Sequence, residues 1–184
     1  MKEVVKITSV LTSVCLICAF LLSFAYSLAH EKIILNSKKR VKEAITTLAP
    51  EAKDIERIVS EDEEIYKLFD AKGNLIAYAF TAQGQGYQGI IKMLVVSDLS
   101  LEYLKGIEVV ESLETPGLGA KIQKDPFKNQ FKDLEVGEGI TCVKGEIETK
   151  SQIKAITGAT VSSQAVVNIL NKQLKQIKKL IETK

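Results

Sequence analysis

From Ile7 to Ala29 the chain carries no charged residue. That is a run of about 23 residues, and roughly 20 suffice for a helix to cross a bilayer. Lys2 and Lys6 precede it. The run predicts an N-terminal transmembrane anchor over residues 1–30. The competing reading is a cleaved signal peptide, which also pairs a basic start with an apolar centre. Ser27-Leu28-Ala29 offers a small-x-small cleavage site, but the run is long for the apolar centre of a signal. Lys32, Lys38, Lys39, Arg40 and Lys42 follow it, and a plain count of flanking positive charge keeps the C-terminal part in the cytoplasm.

The anchor aside, about 150 residues remain, enough for one domain with a real core. The expected division is a stalk helix or linker over residues 31–54 and a domain over residues 55–184. Formal net charge is only +2, with no basic stripe interleaved with aromatics, so nucleic acid is not an expected partner. Cys15 and Cys18 lie in the apolar run and Cys142 stands alone, so the cysteines give no disulfide framework. His30 is the single histidine, and no metal site or catalytic triad is expected.

Ser37 to Ala49 reads as a helix. Val41, Ala44, Ile45 and Leu48 share one face, and Pro50 ends it. Glu64–Phe69 and Leu75–Thr81 read as strands joined by a turn at Asp70–Asn74. Ile90–Ser97, Gly106–Glu111 and Ile140–Ile147 read as further strands, and Asp125–Asp133 as a short helical turn. After residue 163, Val166, Val167, Ile169, Leu170, Leu174, Ile177, Leu180 and Ile181 recur at helical spacing. The expected fold class is α+β: a transmembrane helix, then a small antiparallel sheet with a C-terminal amphipathic helix packed on it.

Three loops stand out. Ile156-Thr157-Gly158-Ala159-Thr160-Val161-Ser162-Ser163 opens the last helix. A helix start offers unpaired N–H groups and a partial positive charge, so a phosphate can sit there. Gly158 and Ala159 allow close approach, and Thr157, Thr160, Ser162 and Ser163 supply hydroxyls. The same residues also serve as a plain helix cap. Gln83-Gly84-Gln85-Gly86-Tyr87-Gln88-Gly89 is either a flexible connector or a loop laid against a planar ligand, with Tyr87 able to stack. In Thr115-Pro116-Gly117-Leu118-Gly119, Pro116 and Gly117 suit a type II turn, which is structural or presents backbone N–H groups to a ligand.

Taken together, the intact Glu114-Thr115-Pro116-Gly117-Leu118-Gly119 and the downstream Thr157-Gly158-Ala159-Thr160 make this chain resemble a known family. It is the FMN-binding domain of the G subunit of the Rnf ion-translocating electron-transport complex and of the C subunit of the sodium-pumping NADH:quinone reductase. The resemblance covers almost the whole chain, and its short length is closer to the Rnf G subunit. It implies one FMN per chain, joined through its phosphate to the Thr160 hydroxyl as a phosphoester by a separate flavin transferase. The implied cofactor-binding residues are Thr160, Thr157, Gly158, Ala159, Ser162, Glu114, Thr115, Pro116, Gly117, Leu118, Gly119, Tyr87 and Gly86. No catalytic residue and no metal ligand is implied. The flavin ring is expected over the Thr115–Gly119 loop, with Gly84–Gly89 nearby.

By the same resemblance the chain is a single-pass protein of the cell (inner) membrane, its C-terminal domain extracytoplasmic, against the charge count. It is expected to carry electrons within a complex that couples ferredoxin and NAD chemistry to ion movement, alongside other membrane and redox subunits. Rival readings are a quinone-reductase C-like component, a stand-alone extracytoplasmic flavin carrier, and a flavin-free anchored assembly module. One position departs from the family pattern. Lys154 stands three residues before Thr157, where the family has an Asp that the transferase reads.

Overall fold

The computed structural model describes residues 2–59 and 64–182. The chain divides between Arg40 and Val41 into two compact units. Helix α1, Lys2–Leu48, runs through the division. The helix expected over Ser37–Ala49 is therefore the last part of one longer element, and Pro50 lies just beyond its end.

In the first unit, Lys2–His30 has mean hydropathy 2.3 and none of its apolar surface is buried. It is long and apolar enough to cross a membrane. Three of its polar side chains are satisfied within the helix. Thr8, Ser9 and Ser13 donate their hydroxyls to carbonyls one turn back at 2.8–2.9 Å, which hydrocarbon surroundings require of any polar group.

The second unit is built on a six-stranded antiparallel sheet in the order β1-β2-β3-β4-β5-β6. The strands are β1 Asp54–Val59, β2 Glu64–Phe69, β3 Leu75–Gln85, β4 Ile90–Ser97, β5 Tyr103–Ser112 and β6 Leu134–Glu135. Between β5 and β6 lie a 3-10 turn at Gly119–Gln123, the short helix α2 Asp125–Lys128, and a second 3-10 turn. Phe127 and Phe131 meet edge to face there at 5.3 Å. A parallel pair, β7 Thr141–Val143 with β8 Gln152–Lys154, precedes the last helix, α3 Thr160–Glu182.

The β4 sequence Ile-Ile-Lys-Met-Leu-Val-Val is nearly continuously apolar because both faces of the sheet are covered. Ile91, Met93 and Val95 point to one core, with Phe80 and Ala82 of β3, Ile107 of β5 and Val166, Leu170, Leu174 and Ile177 of α3. Leu94 and Val96 point to the other, where Val41, Ala44, Ile45 and Ala49 pack with Leu68, Ala77 and Ala79. Register follows the pleat, pairing Phe80 with Val95 and Ala82 with Met93. Gly84 lets α3 press close, since a Cβ there would sit 2.6 Å from Ile169 Cγ1.

Two sequence expectations are corrected in detail. Gln83–Gln85, read as loop, extends β3 and pairs with Ile90–Lys92. The strand expected over Ile140–Ile147 is only Thr141–Val143, and it pairs parallel to β8. Strand β1 carries no clear sequence signal: Asp-Ile-Glu-Arg-Ile-Val lacks clean alternation, as charged edge strands do.

Candidate functional site

The hairpin β3–β4 closes through Gly86–Gly89, where the Gly86 N–H donates to Gly89 O at 2.8 Å. Ile91 pairs with Ser112, so β5 ends beside that hairpin, and the chain runs directly into Glu114–Gly119. The turn has the expected form: the Leu118 N–H donates to Thr115 O at 3.2 Å and Gly117 holds φ +77°. Helix α3 starts at the same end of the sheet. Gly158 takes φ +82° just before it, a conformation that side chains with a Cβ resist.

These three loops enclose a cavity of about 430 Å³. Its walls are Tyr87, Glu114, Thr115, Leu118, Gly119, Gly158, Ala159, Thr160, Val161 and Ser162. Among the expected site residues, Gly86, Pro116, Gly117 and Thr157 stand outside the lining. Pro116, Gly117 and Thr157 are exposed. Gly86 lies against Glu114, where an added Cβ would overlap Oε1. Tyr87, Leu118 and Val161 give the cavity an apolar rim open to solvent.

Glu114 ties the loops together. It is only 5% exposed. Its Oε1 accepts the Gln88 backbone N–H at 3.1 Å, and its Oε2 accepts the Ser162 hydroxyl at 2.6 Å. Burial alone would raise the pKa of this carboxyl. The Ser162 hydroxyl and the N–H groups of Gln88, Tyr87 and Gly89 outweigh that and hold it below the ordinary glutamate range. A depressed folded-state pKa means stability that is full above the unfolded value, about 4.3. That stability is lost as pH falls through the lower folded value. The melting-temperature gap between the wild type and Glu114→Gln is therefore expected to be widest near neutral pH and to shrink in acid. A gap independent of pH from about 7 to 3 would show that the carboxylate charge contributes nothing.

Hydrogen bonding sorts the hydroxyls. Thr115 Oγ1 donates to the Gln88 side-chain oxygen at 2.6 Å. Ser162 donates to Glu114. Ser163 donates to Ala159 O and accepts the Ile156 N–H, both at 3.0 Å. Ser163 lies inside the first turn of α3, so the last bond ties the loop before the helix to that turn. Ser163→Ala should cost about 1 kcal/mol in a urea or thermal melt, because the Ile156 N–H loses its acceptor. No effect on the melt would show that this bond contributes nothing to stability.

Among the described residues, the Thr157 and Thr160 hydroxyls have no hydrogen-bond partner. Of the two, only Thr160 lines the cavity. Spacing places all four hydroxyls within seven residues, Thr157 to Ser163, but which are already engaged depends on Glu114, 48 residues from Ser162, and on the loop geometry. Two participants escape sequence reasoning. Val161 is an apolar position inside a polar motif, and Gln88 takes part through its backbone N–H as well as its side chain. Lys154 lies outside the cavity lining and is exposed at the end of β8, its backbone N–H donating to Gln130 Oε1 at 2.7 Å.

A family model described as the FMN-binding domain matches residues 86–175, a span that holds all three loops. The G subunit of the ion-translocating oxidoreductase complex of Methanosarcina acetivorans is 32% identical over 178 residues, covering 92% of both chains. The G subunit of the proton-translocating ferredoxin:NAD(+) oxidoreductase complex of Clostridium ljungdahlii is 32% identical, covering 96% of this chain and 92% of its own. Among solved structures, the C subunit of the Na(+)-translocating NADH-quinone reductase of Parabacteroides distasonis superposes with a TM-score of 0.63 at 20% identity, over 79% of this chain and 92% of that one. That likeness speaks to the fold. It fits the antiparallel sheet with its C-terminal helix.

The cavity suits a flavin mononucleotide. Its volume falls in the range of small-molecule sites, roughly 300–1,000 Å³. One end is the start of a 23-residue helix, with N–H groups and positive dipole for a phosphate. The rim of Tyr87, Leu118 and Val161 offers apolar surface for a planar ring.

Proposed function

This chain belongs to the G-subunit family of ion-translocating oxidoreductase complexes, the Rnf G subunits, and from that membership we propose that it is a membrane-anchored electron-carrying flavoprotein whose FMN is esterified to Thr160. One observation carries the attachment site. Among the described residues, Thr160 has the only aliphatic hydroxyl that both lines the cavity and is free of a hydrogen bond. Thr115, Ser162 and Ser163 are each committed to a protein acceptor.

The attachment is group transfer without oxidation or reduction. Thr160 Oγ1 loses its proton and forms a P–O bond to the flavin phosphate, and the bond from that phosphorus to the donor's leaving group breaks. The donor is a flavin nucleotide with an activated phosphate, and a separate transferase performs the step. Thr160 is the acceptor of the group and no catalyst.

Bound flavin supplies the electron transfer itself. The chain's own residues hold and shape it. Backbone N–H groups in the first turn of α3 would hold a phosphodiester at Thr160, and the helix dipole would stabilise its remaining charge. Gly158 keeps that turn close to the ligand. Leu118, Val161 and Tyr87 shield the ring, and the Thr115–Gly119 turn forms the wall opposite α3. Electrons reach and leave this protein through other redox subunits of the same complex. The domain lies on the extracytoplasmic side, anchored by the apolar part of α1.

Purification of the full chain from its own host tests this reading. A peptide spanning Thr160 that is heavier by FMN less one water is expected, with flavin fluorescence surviving denaturation. Colourless protein with an unmodified peptide would overturn the flavoprotein reading in favour of an anchored assembly module.

A further inference from the structure

We propose that Glu114 is the positioning residue of this site: its carboxylate clamps the Gly86–Gly89 loop to the first turn of α3 and fixes Ser162 as a hydrogen-bond acceptor toward the cavity, so that a donor group of the flavin lies against Ser162 while its phosphate is kept at the Thr160 end. The second half rests on the flavin reading above. The first half does not.

The geometry is specific. One carboxylate oxygen holds the Gln88 N–H at 3.1 Å and the other holds the Ser162 hydroxyl at 2.6 Å. These partners come from two elements that are otherwise far apart in sequence. The room for the carboxylate is made by glycine. A Cβ on Gly86 would overlap Oε1, and one on Gly119 would overlap Oε2 and stand 2.7 Å from Ser162 Oγ. The pocket for Glu114 is therefore built on both sides.

The consequence for Ser162 is chemical. A serine hydroxyl has one proton to donate. Here it is directed at Glu114, so toward the cavity Ser162 presents only lone pairs. An oxygen of a phosphate, which needs a donor, finds none in that hydroxyl and meets the negative charge of Glu114 behind it. A hydroxyl or ring N–H of the ligand finds an acceptor. The cavity is thus polarised: helix N–H groups at Thr160, acceptor and carboxylate at Ser162. That charge in the wall also opposes adding electrons to a bound ring, because like charges repel strongly where water is excluded.

Two arms test this on the full chain in detergent. The first uses Thr160→Ala protein, which carries no attached flavin, with and without Glu114→Gln. Amide hydrogen exchange at Gln88 is expected to quicken at least about tenfold in the double variant, the equivalent of losing one charge-assisted hydrogen bond. Unchanged exchange, with an unchanged melt elsewhere, overturns the clamp. The second arm titrates the attached flavin electrochemically in wild type, Glu114→Gln and Ser162→Ala. Glu114→Gln should raise the midpoint potential. Ser162→Ala, which keeps the charge, should stay nearer the wild type. A loaded Glu114→Gln chain at the wild-type potential overturns the proposal for the flavin. A Glu114→Gln chain that folds but is not loaded shows the same positioning defect at an earlier stage, and the Gln88 exchange then decides. An unloaded wild type overturns the flavin reading instead and leaves the first arm standing.

Discussion

Thr160→Ala is expected to give a folded chain with no covalent flavin at all. The substitution removes one hydroxyl that no described residue uses, so the fold loses little. Its effect on attachment is all or none, because no neighbouring aliphatic hydroxyl in the cavity is free to replace it. Ser162 is bound to Glu114 at 2.6 Å. Ser163 is bound to Ala159 O and the Ile156 N–H, and Thr115 is bound to Gln88. Thr157 has a free hydroxyl but stands outside the lining. Thr157→Ala and Ser163→Ala should therefore retain the attached flavin. In-gel fluorescence on denatured protein and the mass of the peptide spanning residue 160 read all three variants. Fluorescence that persists in Thr160→Ala would sink the assignment of the attachment residue.

Gly86→Ala is expected to damage both stability and loading. The added methyl would overlap Glu114 Oε1 and lie 2.7 Å from Ile91 Cδ1 and 2.8 Å from the Gly89 carbonyl oxygen. Two of these three neighbours cannot easily give. The Gly89 carbonyl is backbone, pinned by the Gly86 N–H at 2.8 Å. Glu114 is held by two elements. Overpacking of this kind costs about 1–3 kcal/mol, and moving the carboxylate would release Gln88 and Ser162 together. Gly145→Ala is the matched control, since nothing lies within 4 Å of a Cβ there. Melting curves and flavin content of the two variants make the comparison. Equal behaviour would mean that the loop has slack which the packing around Glu114 does not suggest.

Much of the fold is readable because its cues are local. The helical spacing from Val166 to Ile181 and the apolar Ile90–Ser97 strand both describe elements that bury what they display. The Thr115–Gly119 turn is likewise written in two residues, Pro116 and Gly117. The parts that escape are set by distant partners. Strand β1 forms because β2 pairs with it, not because Asp-Ile-Glu-Arg-Ile-Val announces a strand. β7 is short and parallel because β8 is what lies beside it.

The site shows the same division. Its three loops are visible in the sequence as glycine, proline and hydroxyl clusters, and the family resemblance binds them into one reading. What the sequence does not display is the division of labour among identical groups. Nothing in Thr157-Gly158-Ala159-Thr160-Val161-Ser162-Ser163 tells which hydroxyl ties the loop to the helix, which is an acceptor and which is free. Glu114 decides much of that, and only folding brings it to Ser162.

The last turns of α1 carry a liability. Val41, Ala44, Ile45 and Ala49 are buried against one whole face of the sheet, with Leu68, Ala77, Ala79, Leu94 and Val96 beneath them. That short stretch of chain covers an apolar strand surface that would otherwise face other copies of itself. A clip in the Pro50–Lys53 turn, or a fragment begun after it, would leave the flavin loops intact and yet convert the domain into an aggregation-prone species. The boundary at which a soluble fragment can be cut is thus fixed by colloidal behaviour, upstream of Val41, however little those residues have to do with the chemistry at the far end of the sheet.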